Sequence, residues 1–341
     1  MQRHIDRRRF LKITGGAAAA AVAGWTAPAR AQALTKVNVG YLHVVTVDAH
    51  LMIGQELGTY KKEGLDLQLR EFTTGVELFQ ALVGGSLDLL TTGGVLSNFP
   101  ARGQGKVFLI NDLEWAVGQI WVYPDQGITS IKDLKGKKIA TTRGTTAHDL
   151  LHQALKSVHL DSTKDVEIVN QRMSEAVTSF IAGAVPAVAL WVPFNVAVKA
   201  KAPKAKMLTD AGAFPSATIV DGWAARNDYY EKNRDVLTKL IRGWVPANEM
   251  IVTKTSEALE ILHKKYYQSQ NFSMDDMWEM YKAARWYKTA EWLKYYQDGS
   301  VVKWLNQVTN FNVEVGAIQN PVWAETYFDP KPFVEVASSV R

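Results

Sequence analysis

The sequence predicts an α/β protein of two similar lobes, followed by a helical extension. Three observations predict it. A strand–helix–strand unit is written twice, as LDLQLREFTTGVELFQALVGGSLDLLTT over 65–92 and VEIVNQRMSEAVTSFIAGAVPAVALW over 166–191. Laid on each other, these copies place Glu77 on Glu175, Leu82 on Phe180, Gly85 on Gly183 and Leu87 on Val185. The chain beyond residue 33 is long enough for two such units around ample cores. From Asp228 onward, apolar and aromatic residues recur at helical spacing.

The first 33 residues read as an export leader. Arg7-Arg8-Arg9-Phe10-Leu11-Lys12 is a basic start, 13–25 is apolar, and Ala29-Arg30-Ala31 and Ala31-Gln32-Ala33 are small-x-small cleavage sites. The apolar stretch is too short for a membrane span. Arg-Arg-x-Phe-Leu-Lys resembles a twin-arginine leader, although Asp6 stands where Ser or Thr is usual, so the general secretory route stays open. Cleavage near Ala31 or Ala33 would release the mature chain into the periplasm.

The elements follow in order. Alternation over 36–41, ending at Gly40-Tyr41, reads as a strand, and 43–50 as a loop. Leu51, Ile53 and Leu57 give 51–60 helical spacing, with Gly58 as terminator. A strand over 65–69 is followed by Thr74-Gly-Val-Glu77, a capping box, and a helix over 76–83. Gly84-Gly85 ends that helix, 87–90 is a strand, and Thr91-Thr92-Gly93-Gly94 is expected to open another helix. The second copy starts near Trp121, with a helical turn at 131–138, a strand at 138–141 and a helix from Gly144-Thr145-Thr146 to His159. Its repeated unit ends at Trp191, 199–206 is a solvated basic helix end, and 218–225 is a strand crossing back to the first lobe. Pro186 stands where the first copy has Asp88, and it should sit at the start of its strand because it cannot donate a ladder hydrogen bond. Beyond it, 236–253 and a segment opened by Ser273-Met-Asp-Asp276 are helical, and the aromatic stripes read as core packed on the first lobe.

Charge and composition exclude several functions. The chain has 39 Lys and Arg against 34 Asp and Glu, a net of +5. The leader holds Arg3, Arg7, Arg8, Arg9, Lys12 and Arg30 against Asp6 alone, so the remainder is balanced. That gives no basic footprint for nucleic acid. There is no cysteine, hence no disulfide. Neither Gly-x-Ser-x-Gly nor a phosphate-binding Gly-x-x-x-x-Gly-Lys occurs. His148 and His152 share a helix face at zinc-type spacing but lack a third ligand, so no metal and no cofactor are expected.

Several motifs carry a resemblance. Val39-Gly-Tyr, GTYKKEGLDL over 58–67, QALVGGSLD over 80–88, IKDLKGKKIA over 131–140, Gly144-Thr145 and ALWVPF over 189–194 resemble the nitrate/sulfonate/taurine/bicarbonate family of ABC-transporter substrate-binding proteins. The similarity runs from about 36 to 332. It implies a type II periplasmic binding fold: two Rossmann-like lobes, 34–120 with 221–341 and 121–220, on a two-strand hinge. It also implies capture of a small anion or zwitterion by a monomer that delivers to a permease and its ATPase. A pyrimidine thiamine precursor or an aromatic carboxylate is the alternative ligand, favoured if Trp115, Trp191 and Trp223 line the cleft together. An exported enzyme is the remaining rival; the related pyrimidine-synthase branch carries a cysteine-bearing motif that this chain lacks.

Open α/β sheets bind ligands outside the carboxyl ends of their strands. Thr92, Gly93 and Gly94, and Thr145 and Thr146, precede expected helices whose free N–H groups favour an anion; plain N-capping of Thr146 with Asp149 is the bland reading. Trp191, Asp221 and Trp223 lie at strand ends or crossings. His43, Thr46, Asp48 and His50 share the first loop, with the first three taken as candidates. Asp48 and Asp221 pull against a purely anionic ligand, since a carboxylate in the cleft wants an amine, a hydroxyl or an Arg such as Arg143; either acid in the site favours a zwitterion such as an aminosulfonate.

Overall fold

The computed structural model describes residues 33–94 and 96–339. The expected leader, Ala33 excepted, lies outside them. The first half-fold opens with β1 (Thr35–Leu42), α1 (Val45–Glu56), α2 (Thr59–Lys62), β2 (Leu65–Phe72), α3 (Gly75–Val83), β3 (Leu89–Thr92) and β4 (Lys106–Glu114). The second contains β5 (Gly118–Val122), β6 (Lys138–Thr141), α4 (Thr146–Ser157), β7 (Glu167–Asn170), α5 (Met173–Ile181), β8 (Ala187–Trp191), α6 (Phe194–Lys201) and β9 (Lys206–Asp210). The chain then returns through β10 (Ile219–Ala225) into α7 (Asn227–Lys232), α8 (Arg234–Thr253), α9 (Thr255–Lys265), α10 (Met274–Lys282) and β11 (Ala284–Arg285). It closes with α11 (Thr289–Gln297), α12 (Ser300–Glu314), α13 (Ala324–Tyr327) and α14 (Lys331–Ser339).

The strands form two sheets, ordered β11-β4-β10-β3-β1-β2 and β7-β6-β8-β5-β9. Each repeated unit supplies two parallel strands and a covering helix: β2–α3–β3 and β7–α5–β8. The single antiparallel partner of β3 is β10, which also pairs with β4. Every residue of β10 is buried, as expected of a strand covered on both faces. The chain therefore crosses between sheets twice, from β4 to β5 and from β9 to β10.

The repeat holds in detail. Thr74 Oγ1 accepts from the Glu77 N–H and caps α3. Pro186 directly precedes β8, where its carbonyl accepts from Tyr123 N–H. Its counterpart Asp88 accepts from both nitrogens of Asn38, a tie that proline cannot make.

The aromatic extension packs as core on the first sheet. Trp244 and Trp292 are fully buried, and Tyr296 stacks on Phe333 with centroids 4.1 Å apart. Burying each such ring stabilises the fold by roughly 2–3 kcal/mol.

Two segments differ from expectation. Residues 43–50 are not a loop: α1 begins at Val45 and is buried on nearly every side, against α8, β1, β3 and β4. Burial all round erases the one-sided period that marks a helix, so Thr46, Asp48 and His50 read as loop residues. After Gly94 no α-helix opens among the described residues. Leu96 N–H donates to Gly93 O, and the chain turns into a short 3₁₀ turn at Pro100–Arg102. Strands β4, β5, β9 and β11 were not expected; in β4, Asn111, Asp112 and Glu114 break the apolar run.

Candidate functional site

Residues from both half-folds line a small void of about 40 Å³, open to solvent at its mouth, between the two sheets. The first half supplies Thr46, Thr92, Gly93, Gly94, Glu114 and Val117; the second supplies Thr145, Thr146 and Trp191. This is where carboxyl ends of strands point: Thr92 ends β3, Glu114 ends β4 and Trp191 ends β8.

Two helix starts border the void, α3 at Thr74–Gly75 and α4 at Thr145–Thr146. No side chain caps α4, because the Thr145 hydroxyl donates instead to Thr142 O at 2.7 Å. First-turn N–H groups are therefore left for another acceptor. Among the described lining residues there is no Lys, Arg or His.

Glu114 belongs to a cluster of three buried carboxyls with Asp112 and Asp221. Strand alternation puts Asp112 and Glu114 on one face of β4, and the β4–β10 register sets Asp221 opposite Asp112. Their exposures are 0 %, 4 % and 0 %. Glu114 Oε1 accepts from Thr146 Oγ1 at 3.3 Å, so an acid of the protein already faces the start of α4. Burial holds Asp112 and Glu114 well above the usual carboxylate range, with Asp221 adding repulsion to both. Burial likewise pushes Asp221 up to about 6.

Outside this chamber lies a wider one that shares Leu42, Val44, Thr74 and Trp191 with it and adds Phe72, Met173, Phe194 and Phe272 together with His43, Glu71 and Arg172. Four side-chain contacts to three acids span the half-folds. Arg172 meets Glu77 at 2.8 Å, Lys199 meets Glu279 at 2.5 Å, and Glu314 receives His152 at 2.7 Å and Lys156 at 2.8 Å.

The expected site residues divide. Thr46, Thr92, Gly93, Gly94, Thr145, Thr146 and Trp191 meet around the inner void. Asp221 sits just behind Gly93, where a Cβ would run into its carboxyl. His43 lines the outer chamber, held by Asp48 at 2.6 Å and stacked on Tyr267. Asp48 does not reach the crevice: it is fully buried and accepts from Tyr267 Oη at 2.6 Å. Trp223 is also core, its Nε1 donating to Asn111 Oδ1, which Trp244 shares. Of Trp115, Trp191 and Trp223, only Trp191 lines the void, which removes the premise of an aromatic cage. His152 is tied to Ser162 and Glu314, and no three metal-type ligands converge among the described residues. Glu114 and Asp112 escaped the sequence reading. The signal for them was present, as two acids at strand spacing closing an otherwise apolar run.

The comparison with protein families decides the identity. Residues 46–258 match the model described as NMT1/THI5 like. The chain belongs to the NMT1/THI5-like family. Residues 4–24 match the signal sequence of the twin-arginine translocation pathway, which directs this NMT1/THI5-like protein to the periplasm and settles the export route that Asp6 left open.

Its relatives are binding proteins. A Brucella abortus (strain 2308) protein named as a binding protein is 27 % identical over 293 residues, 86 % of this chain and 89 % of its own. An Escherichia coli K12 protein named for binding aliphatic sulfonates is 26 % identical over 201 residues, 57 % of this chain and 60 % of its own. Among solved structures, the alkanesulfonate-binding protein SsuA of Xanthomonas axonopodis pv. citri, bound to MOPS, superposes with a TM-score of 0.70 at 18 % identity, covering 88 % of this chain and all of that one. The desulfurization enzyme DSZB shares the fold at a TM-score of 0.66 and 13 % identity, covering 89 % of this chain and 100 % of its own. The architecture is that of a two-lobed periplasmic binding protein.

Proposed function

We propose that this NMT1/THI5-like protein is the solute-binding component of an ABC importer and that it captures a small sulfonate-, nitrate- or taurine-type anion or zwitterion. The observation that carries the reading is the void itself, walled by both half-folds at the ends of β3, β4 and β8 and bordered by two helix starts. The sulfonate-binding relatives support the ligand class. Threonine hydroxyls line the void without a histidine, cysteine or lysine among the described lining residues to activate them, which supports binding without turnover.

The lobes are assigned as 34–120 with 221–341, and 121–220, joined by the two crossings. Ligand binds the closed arrangement better and shifts the population toward it. The monomeric, loaded protein then delivers to the permease. A thermal-shift screen of sulfonates, nitrate and taurine should identify a stabilising ligand, because a solute bound only by the folded state raises its melting temperature. Solution scattering with that ligand should show compaction; unchanged dimensions at saturation would refute the mechanism.

A further inference from the structure

The carboxyls of Asp112, Glu114 and Asp221 have no use in holding a bare anion. Both oxygens of Asp112 and Oε2 of Glu114 are buried without a hydrogen-bond partner, and the Asp221 carboxyl has only the Glu114 carboxyl and the Thr46 hydroxyl beside it. No Lys, Arg or His among the described residues forms an ion pair with any of them. Buried acids left in that condition stay protonated, and a cation brought against them would favour their ionised form.

Such a cation has access. Glu114 lines the void directly. Gly93 forms the thin wall beside it: a Cβ there would lie 2.5 Å from Glu114 Oε1 and would also strike Asp221. A second observation points the same way. Thr92 lines the same void, and its hydroxyl is fully buried with no partner. Acceptor oxygens thus converge on a chamber that holds no cationic side chain among its described residues. A bare anion would meet the Glu114 carboxyl at the start of α4, where a ligand acid would otherwise sit.

We propose that the inner end of the void is a cation subsite, and that the solute carries a protonated amine directed at Glu114, with Asp112 and Asp221 behind it. This rests on the void being the ligand site, as proposed above, and narrows the class. The solute is a small zwitterion, an aminosulfonate or amino acid type, with its acidic group toward the start of α3. Nitrate, bicarbonate and amine-free alkanesulfonates are excluded as preferred ligands.

The test uses matched pairs by calorimetry on the mature protein: taurine against ethanesulfonate, β-alanine against propionate, and ethylamine alone. Taurine should bind at least tenfold more tightly than ethanesulfonate. The isosteric Glu114→Gln should shrink that gap by weakening taurine and sparing or tightening ethanesulfonate. Thr92→Val, which leaves the carboxyls intact, should weaken taurine more than ethanesulfonate and guards against a misfolded E114Q. If β-alanine binds and neither sulfonate does, the sulfonate reading fails and the subsite stands. If amine-free members bind as tightly as their partners, or no amine-bearing compound binds, the subsite is overturned.

Discussion

Gly94→Ala should prop the two half-folds apart. A Cβ at Gly94 would stand 2.6 Å from the Thr146 amide nitrogen and 3.0 Å from its Cα. Unbonded carbon contacts settle near 3.5 Å, so the start of α4 would have to retreat by roughly 1 Å. The obstacle is backbone rather than a flexible side-chain tip, and α4 is packed on β5 and β8, so the second sheet must move with it. Overpacking of this kind costs about 1–3 kcal/mol. Here the cost falls on the closed arrangement alone, because Gly94 meets Thr146 across the crevice. It translates into a loss of ligand affinity of roughly 5- to 150-fold. Gly94 is not among the glycines with positive φ, so alanine brings no backbone strain. The unliganded protein should keep its melting temperature within about 2 °C. Calorimetry with the ligand found by screening, paired with scattering, reads both effects. Wild-type affinity and full compaction in G94A would refute the reasoning. So would a loss of unliganded stability equal to the loss in binding, since the clash would then not belong to closure.

Two further outcomes are expected. Burial pushes the Asp149 carboxyl from 3.8 up to about 7, so between those values the folded chain keeps a proton the unfolded chain has released, and stability falls as pH rises. Asp149→Asn should therefore be more stable than wild type at pH 8, with a ceiling of about 4 kcal/mol at about 1.4 kcal/mol per pH unit, and the advantage should vanish near pH 4; denaturant titrations whose gap is constant with pH would contradict this. Glu279→Gln removes the negative charge that meets Lys199 across the crevice while keeping an amide oxygen that can accept from Asn195, and because Lys199 is half-exposed the effect on closure should stay below about 1 kcal/mol and fade with salt; a large loss of ligand affinity that persists in high salt would show a stronger strap than the geometry describes.

The parts of the fold that the sequence made legible are those where burial is one-sided. Strand, cap, helix and glycine punctuate 65–92 and 166–191 in the same order because each unit covers one sheet face and leaves the other side of its helix in water. α1 was illegible for the opposite reason, since Val45, Asp48 and His50 are all interior. The site was half legible. Thr92, Gly93, Gly94, Thr145, Thr146 and Trp191 could be placed because strand ends and small residues mark a crevice. The role of the glycines was misread, because Gly93 and Gly94 make room for Asp221, Glu114 and Thr146 rather than opening a helix. His43 and Asp48 looked available because nothing in sequence shows that they satisfy each other and Tyr267. The carboxyl group of three could not be read at all as a group, because its members meet only through the pairing of β4 with β10.

Those carboxyls stand on the two strands that adjoin the crossings. Points close to a pivot travel least when the bodies around it rotate. A solute anchored there is held at nearly the same place whether the jaws are wide or shut. Capture then precedes closing, and the arrival rate is set by one half of the molecule. On the proposed lobe assignment, the second half would decide how long the cargo stays, through Thr145, Thr146 and Trp191. Handing it over requires only that this second half be pulled away, because the anchor alone is left to let go.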